Sequence, residues 1–182
     1  ADGKYVIAGS NNQKIYLFGE NSSTPIWNSD IGASIKSVDI SANGEYIVVG
    51  DQDSYVYLFD KDSSTSVWSY DTVDSYVRSV SISEDGNYIT AGDTNDMVWL
   101  FSKDSSTPLW NYETGDYVPS VDISADGQYI VAGSGDKKVY NFKNSLADRP
   151  SVIPYGPRSG SEPDEPVTLR WFAGSDDISN LT

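Results

Sequence analysis

The sequence contains no cysteine and no histidine, and those two absences remove much of protein chemistry at once. Without a thiolate or an imidazole there is no cysteine nucleophile, no Ser-His-Asp triad, no thiolate or imidazole zinc site and no c-type haem attachment. A chain without thiols fits any redox compartment, so none is assigned. Positive charge is also scarce: 12 Lys and Arg stand against 27 Asp and Glu, a net charge of −15 over 182 residues. Nucleic acids and anionic membrane surfaces are held by clustered Lys and Arg, which this composition does not supply. No apolar run approaches the ~20 residues that cross a bilayer as a helix, so membrane insertion is not expected. The first residue is Ala and no signal peptide is visible, which reads as a processed chain or a piece of a longer one.

What is present is a period. ADGKY, ANGEY, EDGNY and ADGQY place tyrosines at 5, 46, 88 and 129, steps of 41, 42 and 41 residues. A glycine follows each tyrosine by four (Gly9, Gly50, Gly92, Gly133), and then come KIYLF, YVYLF, MVWLF and KVYNF. Three repeats continue to Trp27, Trp68 and Trp110. One period, 77–116, reads as four short strands (VRSVSIS, NYITAG, MVWLF, PLWNYE) separated by turns rich in Asp, Gly, Asn and Ser. Tyr57 and Phe59 face one way while Val56 and Leu58 face the other, so each sheet is apolar on both sides and needs neighbours. Radial stacking of four-stranded antiparallel sheets meets that need, and the expected class is an all-β propeller. With the strands of a repeat labelled a to d, the order along the sequence is b, c, d; a, b, c, d; a, b, c, d; a, b, c. A fourth d strand near residues 150–155 has lost its tryptophan. The incomplete outer repeats suggest part of a larger propeller, completed by further sequence or by another molecule, with open blade edges that invite self-association.

VRSVSISEDGNYITAGDTNDMVWLF resembles the WD-repeat, YVTN and quinoprotein-like (PQQ-like) propeller superfamily. Ser83-Glu84-Asp85-Gly86 and Gly133-Ser134-Gly135-Asp136 match its turn patterns. Leu-Phe or Asn-Phe replaces the family's Trp-Asp pair and the Gly-His pair is absent, so the histidine network of true WD repeats cannot form here. The resemblance covers residues 1 to about 143, giving a propeller segment over 1–145. A Pro-rich linker over 146–166 holds five of the chain's eight prolines. Residues 167–182, with Val167, Leu169 and Trp171 on one face, resemble the start of a fibronectin-type-III or immunoglobulin-like module.

Blades oriented as in that superfamily bring the b–c and d–a turns to one rim. Asp71, Asp74, Tyr76, Glu113, Asp116, Tyr117 and Asp136 are the partner-binding candidates there. Asp51, Asp53, Asp93 and Asp96 offer hard oxygen donors at spacings Ca²⁺ accepts, though without the full EF-hand loop. No other cofactor is expected. Asp39 and Asp122 lie mid-strand facing the channel, where a solvated or serine-bonded role outweighs a catalytic carboxylate pair. The evenly spaced tryptophans argue for interblade contacts rather than a carbohydrate platform. Asn21 and Asn180 head glycosylation sequons. The leading expectation is a non-enzymatic extracellular or cell-surface scaffold, adhesion or assembly element. The alternatives are a quinone- or metal-dependent propeller enzyme and an intracellular protein-binding platform of WD-repeat type.

Overall fold

The computed structural model describes residues 3–144, and within them every regular element is a strand. The linker 146–166, the second β-module 167–182 and Asn180 lie outside the described residues. Strands β1 (Tyr5–Gly9), β2 (Lys14–Gly19) and β3 (Pro25–Asp30) form the first blade. The second holds β4 (Ile35–Ile40), β5 (Tyr46–Asp51), β6 (Tyr55–Asp60) and β7 (Ser66–Asp71). The third holds β8 (Val77–Ile82), β9 (Tyr88–Asp93), β10 (Met97–Ser102) and β11 (Trp110–Glu113). The fourth holds β12 (Ser120–Ile123), β13 (Tyr129–Gly133) and β14 (Val139–Lys143). All pairings are antiparallel between consecutive strands, in sheets of three, four, four and three strands, as the period predicts.

Facing sheets of successive blades bury their apolar faces against each other, so the second and third blades are covered on both sides. Val48, Val56 and Leu58 of the second blade share a core with Val77, Val80, Ile82, Ile89, Trp99 and Phe101 of the third. Val98 and Leu100 then meet Ile130, Ala132, Tyr140 and Phe142 of the fourth. Ile15 and Leu17 of the first blade join Ile47, Val49 and Phe59 of the second. Trp68 crosses one such seam, with its ring 5.5 Å from Phe101 and its Nε1 donating to Lys103 O at 2.9 Å. Trp27 does the same against Phe59 and Lys61 O. The Trp110 ring lies 5.1 Å from that of Phe142, and its buried Nε1 finds no acceptor among the described residues. The tryptophans are therefore interblade wedges.

The recurring Gly-x-Tyr of the a–b turn is also an interblade device. Gly86 sits at φ +75, a left-handed conformation that costs other residues energy, and a Cβ on it would lie 2.6 Å from Cδ2 of Tyr46 in the preceding blade. Polar ties add to the apolar seams. Val80 N and Val121 N donate to Ser37 Oγ and Ser79 Oγ of the blade before, each at 3.1 Å. The Ser81 hydroxyl lies 3.1 Å from both Asp39 Oδ2 and Asp122 Oδ1, so its single proton serves one carboxylate at a time. The inner-strand carboxylates are serine-bonded wall groups, as the sequence suggests.

Candidate functional site

The rim of b–c turns and d–a loops is built by one repeated hydrogen bond. Gln52 N donates to Ser34 O, Thr94 N to Tyr76 O and Gly135 N to Tyr117 O, at 2.9, 3.0 and 2.8 Å. This bond clamps the b–c turns of the second, third and fourth blades to the segment that leads into the inner strand of the same blade. The expected gathering of b–c and d–a turns on one rim is what the pairing register produces.

The acids of that rim divide into two kinds. Asp51 and Asp93 are fully buried and cap the b–c turns. Asp51 Oδ1 accepts from Asp53 N and Tyr55 N, and Asp93 Oδ1 accepts from Asn95 N and Met97 N, at 2.8–3.0 Å. Asp93 Oδ2 also accepts from Trp99 Nε1 at 2.8 Å, whereas Asp51 Oδ2 makes no hydrogen bond of normal geometry and stands beside the Tyr57 hydroxyl. Burial pushes both carboxyls above the usual range, against the pull of the backbone amides. Burial and the Asp51 charge likewise push the Tyr57 phenol up. Asp53 is exposed and Asp96 half-buried at φ +67. Among the described residues no group of three or more acidic side chains gathers where a metal ion could be held. Asp136 is half-buried; desolvation raises its carboxyl, but Tyr140, Lys138 and Ser134 outweigh this and hold it well below the usual range. The Tyr140 hydroxyl donates to its Oδ2 at 2.6 Å and Lys138 Nζ lies at 2.9 Å.

Asp71, Asp74, Tyr76, Glu113, Asp116 and Tyr117 are exposed, Asp71 and Glu113 at the ends of β7 and β11 and the others on the d–a loops that follow. The loop 71–76 is held from two sides. Asp71 Oδ1 accepts from Val73 N, Ser54 Oγ accepts from Ser75 N and Thr94 Oγ1 accepts from Tyr76 N, each at 2.8 Å. Asn95 Nδ2 donates to Val73 O at 3.2 Å. These bonds fix Val73, a β-branched residue, at φ +61, with 63% of its surface exposed. Left-handed backbone in a β-branched residue is strained by roughly 1–3 kcal/mol and persists only where neighbours enforce it. Here the strain turns an apolar side chain outward beside Tyr76. Asn21, at φ 60 in an exposed c–d turn, is accessible on the opposite rim.

Residues 1–95 match the family of unknown function DUF5711. The protein belongs to that family. Residues 106–142 of this DUF5711 protein match the WD domain, G-beta repeat, which fits the antiparallel blades described above. WD repeats generally mediate protein–protein interaction. No curated protein matches the sequence.

Sequence reasoning missed the basic residues of this rim. Lys36 and Arg78 occupy corresponding positions at the start of β4 and β8, and each is the extra residue of a β-bulge. The register passes from Ile35↔Asp51 to Ser37↔Gly50, and from Val77↔Asp93 to Ser79↔Gly92. A signal was present: Val77 and Val80 are three apart, a break in the two-residue alternation of a strand.

Proposed function

We propose that this protein is a binding module, not an enzyme, and that it engages a protein partner through the rim of b–c turns and d–a loops. One observation carries the reading: the d–a loops hold exposed Val73, Tyr76 and Tyr117 among exposed carboxylates, on backbone locked from both sides. Fixed aromatic and apolar side chains lose little entropy on contact, and such residues dominate binding energy at interfaces. The surrounding Asp71, Asp74, Glu113 and Asp116 favour a partner with basic residues. The carboxylates of the inner strands and turn caps, by contrast, are held in structural hydrogen bonds. An extracellular or cell-surface role in scaffolding or adhesion is the setting we favour, supported by the resemblance of residues 167–182 to the start of a fibronectin-type-III or immunoglobulin-like module.

Calorimetry with a lysine-rich peptide tests the rim. Binding is expected to weaken several-fold between about 50 and 200 mM salt, and to be lost in the Asp71→Asn/Asp74→Asn/Asp116→Asn variant. Neutralising Asp62 and Asp104 on the opposite rim should leave it intact. Equal loss in both variants refutes a rim-specific surface.

A further inference from the structure

We propose that the groove between the inner ends of the second and third blades receives a single carboxylate of the partner segment, held by Lys36 and Arg78. The proposal rests on the reading of this rim as a protein-binding surface and names the chemistry of one subsite within it. Four residues line the groove, Lys36, Gln52, Tyr76 and Arg78, around about 400 Å³. Both cations come from β-bulges at corresponding positions of adjacent blades. A bulge inserts a residue outside the ladder and re-aims its side chain, so two neighbouring strands each break their pairing to present a cation to one space.

Their lack of acidic partners is the second observation. In a protein of net charge −15, Lys61, Lys103 and Lys138 each hold a carboxylate within 4 Å. Among the described residues neither Lys36 nor Arg78 does. Lys36 Nζ donates to Ser34 Oγ at 3.3 Å, and the Arg78 guanidinium lies 5.5 Å over the Tyr117 ring. A cation–π contact uses no N–H of the guanidinium as a directed donor and so leaves them for a bidentate acceptor. Gln52 and the half-exposed Tyr76 supply neutral polar atoms and an aromatic wall.

The surrounding charge narrows the ligand. A polyanion would be repelled by Asp71, Asp74 and Asp116, whereas one carboxylate flanked by basic residues satisfies groove and rim together. An Asp or Glu side chain and the terminal carboxylate of a polypeptide share that chemistry.

Calorimetry on the 182-residue protein distinguishes the outcomes with two pairs of peptides. The first is acetyl-Lys-Ala-Glu-Ala-Lys-amide against its Gln counterpart. The second is acetyl-Lys-Ala-Lys-Ala-Gly as free acid against its amide. In each pair the neutral peptide carries more net positive charge, so attraction to the acidic protein as a whole favours it. Tighter binding of the carboxylate form by about five- to tenfold is therefore expected only if a local cation site exists. The pair that shows it identifies side chain or terminus. Lys36→Gln and Arg78→Gln, both at exposed positions, should abolish the preference with the melting temperature unchanged. Arg78→Lys should retain part of it. Equal or tighter binding of the neutral peptides, with salt-dependent rim binding intact, overturns the groove and leaves the rim standing. A preference that survives both Gln variants overturns it as well, and no binding of any peptide overturns both readings.

Discussion

Substituting Gly86 by alanine tests whether interblade contacts dictate the Asp-Gly-x-Tyr repeat. Two costs add at this position. The first is conformational: Gly86 has φ +75, where a side chain costs roughly 1–2 kcal/mol. The second is steric: the new Cβ would lie 2.6 Å from Cδ2 of Tyr46 and 3.4 Å from its Cβ and Cγ. The turn cannot easily retreat. Ser83 Oγ bridges Asp85 and Tyr88 N, Glu84 N donates to Ala125 O, and Ala42 N donates to Glu84 O, tying the turn to both adjacent blades. Tyr46 is half-buried against the core between the second and third blades and has Lys103 Nζ 5.9 Å from its ring centre, so it too is held. Overpacking of this kind costs about 1–3 kcal/mol, for a total of roughly 2–5 kcal/mol.

Gly32 supplies the control. It has φ +79 in a d–a loop, with nothing within 4 Å of its added Cβ, so Gly32→Ala should incur only the conformational cost of roughly 1–2 kcal/mol. Urea unfolding of the two variants, compared at constant m-value, isolates the steric part. In the Gly86→Ala/Tyr46→Ala double variant that part should disappear, giving a combined loss smaller than the sum of the single ones. Equal losses for Gly86→Ala and Gly32→Ala would refute the interblade explanation.

Trp68→Ala should lower stability by about 3–5 kcal/mol through lost volume and the lost bond to Lys103 O; melting like the parent would exclude the wedge role. Burial raises the folded Asp51 carboxyl above 3.8, so the fold binds its proton more tightly than the unfolded state does and stability falls as pH rises from 3.8 through the folded value. Asp51→Asn should remove that fall and leave stability at pH 7 equal or higher, as urea midpoints from about pH 3.5 to 7 will show. Asp93→Asn instead faces Trp99 Nε1 and should cost about 1–3 kcal/mol, the penalty of an unpaired buried donor. Val6 (57% exposed) on the open face of the first blade and Val139 (51%) on that of the fourth should make the protein self-associate, and Val6→Asp/Val139→Asp should return it to a monomer by sedimentation.

The fold was legible because it rests on periodic quantities: turns every 41–42 residues, strands apolar on both faces, and one tryptophan per fourth strand. The rim acids were less legible. Asp51 follows Gly50 and looks like a solvated turn residue, but the ladder extends through it, and Ile35 pairs with it directly from the inner strand. Lys36 and Arg78 were overlooked because a bulge shows in sequence only as three-residue spacing between apolar positions, easily taken for an ordinary polar pair.

The b–c turns show how a repeat can keep an interaction while changing the residues that make it. In the third blade Asp93 reaches the aromatic of the third strand, Trp99, six residues on. Asp51 stands in the same relation to Tyr57. In the first and fourth blades that acid is replaced by Ser10 and Ser134, and a polar side chain two residues later takes over. Asn12 Nδ2 donates to the Tyr16 hydroxyl at 3.1 Å, and the Tyr140 hydroxyl donates to Asp136 at 2.6 Å. Every blade thus meets the polar tip of its third-strand aromatic from its own b–c turn, whichever of two positions supplies the partner. Aligned by residue type, the turns look like scattered acids suited to cations. Aligned by contact, they are four solutions to one local requirement, the partnering of a polar ring atom at the blade's end. Asp53, exposed on its turn, has no such duty.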